Sequence, residues 1–137
     1  MVNHFQLNDT MFEISFEKGE LPPTLFTHEA HLRLAWMYIK KYGEKEAAEK
    51  IGCEIEQFDK LHGGGDTFHK TITIASIKVV GHFIGKSESR DFKSFIQEFP
   101  KLKTAFKELL NRHYSIKILT SQKAKAQFLQ PDLLPFP

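Results

Sequence analysis

Thr27-His28-Glu29-Ala30-His31-Leu32-Arg33-Leu34-Ala35-Trp36-Met37-Tyr38-Ile39-Lys40-Lys41-Tyr42-Gly43 decides the fold class of this chain. Thr27 can accept a hydrogen bond from the first turn of a helix, and Gly43 can take the backbone conformation that ends one. Between them Leu32, Ala35, Trp36 and Ile39 recur at spacings of three and four, which lines up one apolar stripe along a helix. The stretch predicts an amphipathic helix over 27–43, and its neighbours read the same way.

Upstream, Asn8 or Asp9 caps a short helix carrying Met11, Phe12, Ile14 and Phe16, which stops near Gly19. The alternation of Phe12, Ile14 and Phe16 also suits a strand. Leu21-Pro22-Pro23 forces an extended turn. Downstream, Glu44 to Leu61 opens with carboxylates that suit a helix N-terminus and turns Ala47, Ala48, Ile51, Ile55 and Phe58 to one side. Gly63-Gly64-Gly65 interrupts the chain. Asp66 or Thr67 can then cap a fourth helix to about Ile84, whose β-branched residues leave a strand as the alternative while its length favours a helix.

Asp91 to Glu98 forms a further helix with Phe92, Phe95, Ile96 and Phe99 on one side. Pro100 suits the first turn of the next, which carries Leu102, Phe106, Leu109 and Leu110. After Tyr114 a short helical turn leads to an apolar, proline-rich tail, Phe128 to Pro135, expected to lie across the bundle. The fold class is therefore all-α: one compact domain over residues 1–137, of about five to six helices.

The totals agree with that. At 137 residues, 41% apolar and 26% charged, the chain can bury one core and is not disordered. Thirteen phenylalanines supply bulk for packing between helices. Cys53 is the single cysteine, so an internal disulfide and a cysteine zinc site are excluded; between Ile51 and Ile55 it reads as a small buried residue. Met1-Val2-Asn3-His4 has no basic flank followed by an apolar run, and no apolar stretch is long enough to span a bilayer. A cytoplasmic setting and no membrane partner are expected.

Charge is uneven. Residues 1–85 carry a net −3 and residues 86–137 a net +5. The C-terminal lysines alternate with Phe and Leu at helical spacing, as on the wet face of amphipathic helices, and no nucleic-acid-binding pattern accompanies them. Nucleic acid is not an expected partner. The phenylalanines and a tail able to cover a neighbour leave a homodimer open.

Three segments carry groups capable of chemistry. His28 and His31 lie about 60° apart around their helix, on the side of Leu32 and Ala35, and imidazoles there need hydrogen-bond partners, a ligand or a metal. The spacing is three, not the four of a metalloprotease helix. At the start of the fourth helix, His69, Thr73 and Ser76 share a face; Thr73 and Ser76 can instead bond back to carbonyls one turn earlier. Should the two helix starts meet, His28, His31 and His69 would form a plausible ligand set for a divalent transition metal, completed by Glu13, Glu17 or Asp132. His62-Gly63-Gly64-Gly65-Asp66 lacks the lysine of a phosphate-binding loop and reads as a connector.

Phe26 to Tyr38 with its His-x-Ala-His-Leu-Arg core, Phe68-His69-Lys70-Thr71-Ile72-Thr73, Pro100-Lys101-Leu102, His113-Tyr114-Ser115 and Phe128-Leu129-Gln130-Pro131-Asp132 together resemble an uncharacterised family of small bacterial proteins. The resemblance spans about residues 12 to 133. It implies a helical single domain and brings no activity with it. Phe68 and Lys70 stand where that family has Tyr and Glu, so any ligand or base role of that Glu is missing here.

Two functions follow as expectations. One is a buried histidine-lined pocket that binds a metal or small-molecule ligand, in one form a metal-dependent enzyme, with metal ligands His28, His31 and His69 and with Arg33, Thr73, Tyr114 and Asp132 as ligand-binding residues. The alternative is a non-catalytic binding or interaction module whose histidines are structural and whose Phe-rich surface meets a partner.

Overall fold

In the computed structural model, which describes residues 3–137, the helix over 27–43 forms as its sequence dictates. The Met1-Val2 start, read above for a leader, lies outside the described residues. Thr27 Oγ1 accepts from the Ala30 N–H at 3.2 Å, and Gly43 closes the helix at φ 86°. It is one of the four longest helices, α1 (Asp9–Glu17), α2 itself (His28–Tyr42), α3 (Glu44–His62) and α4 (Lys70–Ile84). The shorter α5 (Phe92–Glu98), α6 (Lys101–Thr104), α7 (Phe106–Asn111), α8 (Ile116–Leu119) and α9 (Gln122–Ala126) complete the chain, with 3-10 turns at His4–Gln6 and Pro23–Leu25. No strand occurs among the described residues, and none of their helices is long and apolar enough to cross a membrane.

Both strand alternatives resolve as helix. In α1, capped by Asn8, Phe12 and Phe16 are one turn apart and buried while Ile14 faces out. A strand would have put all three on one face. In α4 the β-branched residues lie in a fifteen-residue helix packed against α2, α3, α7 and α9.

α2, α3 and α4 pack pairwise on one another, and this trio holds the centre of the core. Leu34 and Tyr38 are fully buried, and the Tyr38 hydroxyl donates to Glu54 Oε2 at 2.6 Å. Burial and that carboxylate push the Tyr38 phenol well above its usual range. On one flank Phe16, Phe26 and Phe58 cluster, with ring centroids 4.8–5.4 Å apart. On the other Trp36 meets Phe92 and Phe95. Among the thirteen phenylalanines only Phe5 is exposed, so the sequence's aromatic content lies in the packing rather than on a surface.

Three local expectations need correction. Cys53 is exposed, because Ala47, Ile51 and Phe58 define the buried stripe of α3 and residue 53 falls about 200° beyond Ile51. α4 begins at Lys70, not after Asp66, because the Asp59 carboxylate holds the Thr67 and Phe68 N–H groups at 3.0 Å and keeps that segment out of the helix. The helix expected after Pro100 divides at Ala105 (φ −140°, ψ 33°), although Leu102, Phe106, Leu109 and Leu110 are all buried as read.

The tail does lie on the bundle. Thr71 Oγ1, fully buried, donates to the Gln127 carbonyl and accepts from the Leu129 N–H. The Leu133 N–H bonds the His113 carbonyl, and Phe136 stacks on the His113 ring at 4.3 Å.

Candidate functional site

A cavity of about 610 Å³ opens between the first turns of α2, the C-terminal half of α3 and the face of α4. Its walls are apolar, with Phe26, Leu32, Ile55, Phe58, Ile72 and Phe106 among them. The two helix starts do meet at one end of the bundle: His28, His31 and His69 all line this space, as does Thr73.

Each ring has a fixed hydrogen-bond pattern, because a carbonyl can only accept. His28 Nε2–H donates to the Leu102 carbonyl at 3.0 Å, and its ring and that of Phe106 pack T-shaped with centroids 5.2 Å apart. His31 Nδ1–H donates to the Thr27 carbonyl at 2.8 Å, and its ring stacks on Phe26 at 3.7 Å. In the neutral imidazoles, His28 Nδ1 and His31 Nε2 remain as unpartnered acceptors. Burial holds the His31 imidazole below its ordinary value, the Thr27 contact offsetting part of this and His28 adding to it.

His69 differs. It is the N-cap of α4: Nδ1 accepts from the Ile72 N–H at 3.1 Å while Nε2–H donates to the Leu119 carbonyl at 2.8 Å. Both ring nitrogens are consumed by the backbone, and neither is left to coordinate a cation. Among the described residues no three His, Cys, Asp or Glu side chains stand together as a metal-holding group. The expected His28–His31–His69 ligand set therefore does not form, although the three share a cavity.

The other expected ligand-binding residues separate. Thr73 lines the cavity, but its hydroxyl donates to the His69 carbonyl at 2.8 Å, and Ser76 does the same to Ile72 at 2.6 Å. Arg33 is buried away from it, with its guanidinium on the Asp9 carboxylate, the His4 and Leu7 carbonyls and His4 Nδ1. That knot docks the N-terminal segment on α2, and Arg33 has no donor to spare. Tyr114 is buried under the tail and donates to the Leu129 carbonyl at 2.7 Å. Its burial, with Asp132 nearby, pushes the phenol up to about 12. Asp132 is exposed and accepts from the Ser115 N–H. Glu29 turns away from the cavity to His4 and Lys103.

One lining residue, Asp59, was not singled out from sequence, and His62 was read only as part of a connector. Asp59 and His62 close the mouth from the end of α3. His62 Nε2–H donates to the Gly19 carbonyl at 2.8 Å, so its Nδ1 is a further free acceptor. Asp59 uses Oδ2 for the two amides above, and Oδ1 accepts no hydrogen bond. Gly64 and Gly65, at φ 81° and 87°, turn the chain back so that Thr67 and Phe68 reach Asp59. The signal was present: Asp59 and His62 stand three apart beside the inward Phe58, as His28 and His31 stand beside Leu32. Compared with family models, curated proteins and solved structures, the chain matches none.

Proposed function

We propose that this chain is a small-molecule-binding protein whose ligand occupies the cavity between α2, α3 and α4. The observation that carries the reading is the cavity itself: about 610 Å³, apolar-walled, with a few polar groups at its rim. Ligand sites typically enclose ~300–1,000 Å³ with that division of labour. Support for a small organic ligand over a shared metal comes from His69, whose nitrogens are committed to the Ile72 amide and Leu119 carbonyl. The reading assigns no reaction.

Nile red, an uncharged apolar dye, tests it. Saturable one-to-one binding with enhanced emission is expected. Ser76→Phe, which puts a ring into the cavity from α4 and breaks only a hydroxyl bond to its own helix, should abolish binding while far-UV circular dichroism and cooperative melting persist. Undiminished binding in a folded Ser76→Phe protein, or no saturable binding by the wild type, refutes the proposal.

A further inference from the structure

The free polar side-chain atoms of the cavity are acceptors with one exception. His28 Nδ1, His31 Nε2 and His62 Nδ1 are lone pairs, each left over after the ring's N–H has gone to a backbone carbonyl. Thr73 and Ser76 have likewise given their protons to helix carbonyls and can only accept. Asp59 Oδ1 is a carboxylate oxygen with no partner. No half-buried or buried side-chain nitrogen or oxygen is both sealed from solvent and unbonded among the described residues, so the free atoms of His31 and Asp59 are accessible. The Thr67 hydroxyl alone among the lining side chains has a proton without an internal acceptor. No lysine or arginine lines the cavity, and Asp59 is its one carboxylate.

A rim of acceptors with Thr67 as its one side-chain donor, around an apolar chamber, selects a ligand that brings the donors. We infer that the cavity's ligand is an apolar amine, held as the ammonium ion: its hydrocarbon body lies between α2, α3 and α4, and its N–H groups meet Asp59 and the imidazole lone pairs. This rests on the cavity being a binding site, as proposed above, and names its ligand class. An ammonium supplies three donors and a positive charge, the complement of several acceptors around one carboxylate. The aromatic rings of Phe26, Phe58 and Phe106 on the same walls are tolerant of a cation. A carboxylate head would instead meet the Asp59 charge, and its donors could come only from the Thr67 hydroxyl and the first-turn amides of α2.

Displacement of Nile red by 4-phenylbutylamine, 4-phenylbutanol and 4-phenylbutyrate at pH 7.5 separates the terms, because the three share one body and differ in the head. The amine is expected to displace the dye at a concentration on the order of tenfold below the alcohol, the increment of one charge-assisted hydrogen bond, with the acid weakest. Asp59→Asn keeps an oxygen for the Thr67 and Phe68 amides and removes the charge; it should bring the amine to the level of the alcohol. An amine no better than the alcohol, an acid that binds tightest, or an amine preference that survives in folded Asp59→Asn overturns the inference and leaves the cavity's role standing. Failure of Nile red and all three heads to bind refutes the cavity reading itself. If Asp59→Asn does not fold, the wild-type ranking alone decides.

Discussion

Replacing His69 by Ala separates a structural histidine from a metal ligand. The substitution removes the N-cap bond from the Ile72 amide and the bond to the Leu119 carbonyl, at 3.1 and 2.8 Å. A lost cap costs about 1 kcal/mol, and the second bond a further ~1–2 kcal/mol because the carbonyl left behind is half-buried. The sum is roughly 2–3 kcal/mol. With an unfolding entropy of ~2.1 cal/mol/K per residue, a chain of 137 residues loses about 7–10 °C in Tm. His69→Asn can cap α4 but is too short to reach Leu119, so it should recover roughly a third to a half of the loss. Thermal melts in chelator-treated buffer, then with added zinc, provide the assay. The expected ranking is wild type, Asn, Ala, with no change on adding zinc. Equal melting of wild type and Ala in chelator, with zinc stabilising only the wild type, would refute the capping argument.

Acidification has a defined sign. Burial holds both His4 and His31 below the ordinary imidazole value of 6.5, the Glu29 contact opposing this at His4 while Arg33 and Lys103 add to it. The unfolded chain then binds protons first, so their contribution to stability is complete above pH 6.5 and falls as the pH drops toward the folded values; urea melts at pH 8 and 5.5 should show the loss, and His31→Gln should flatten it. Cys53, exposed on α3, should react stoichiometrically with a thiol reagent in the native protein; protection until denaturant is added would place it inside. Tyr114→Phe should cost about 1 kcal/mol and raise amide exchange in the tail at Leu129; with the Tyr114 phenol pushed up to about 12, the wild type should show no more phenolate absorbance at pH 10.5 than Tyr114→Phe.

The fold was legible wherever a cap, a period and a stop coincided. Thr27 with Gly43 and Asn8 with Phe12 and Phe16 each determine an element by short-range bonds that a sequence displays. The start of α4 was not legible, because the residue that decides it, Asp59, is eight and nine positions away across a glycine turn. The same long-range logic hid the fates of the chemical groups. Arg33 reads as a free cation on a helix until the N-terminal segment folds back to supply Asp9 and three acceptors from His4 and Leu7. His69 reads as a pocket group until the Leu119 carbonyl, fifty residues on, takes its second nitrogen. Helical spacing reports which side chains share a face; it is silent on the backbone groups of other elements that those side chains meet.

Those distant carbonyls set the character of the cavity. Leu102, Thr27 and Gly19 belong to three separate parts of the chain, and each accepts the N–H of one rim histidine. A carbonyl has no proton to give, so every neutral ring is locked in the tautomer that leaves its other nitrogen an acceptor. A rim of freely rotating histidines could present a donor or an acceptor to suit its ligand. Here the backbone has made that choice for His28, His31 and His62 alike, and the Asp59 carboxylate reinforces it. Protonating a rim ring would convert its lone pair to a donor, and at His31 burial opposes that change. The polarity of the mouth is therefore a property of the fold as a whole, which is why it follows from where α6, the turn after α1 and the turn before α2 place their carbonyls rather than from the histidines' own spacing.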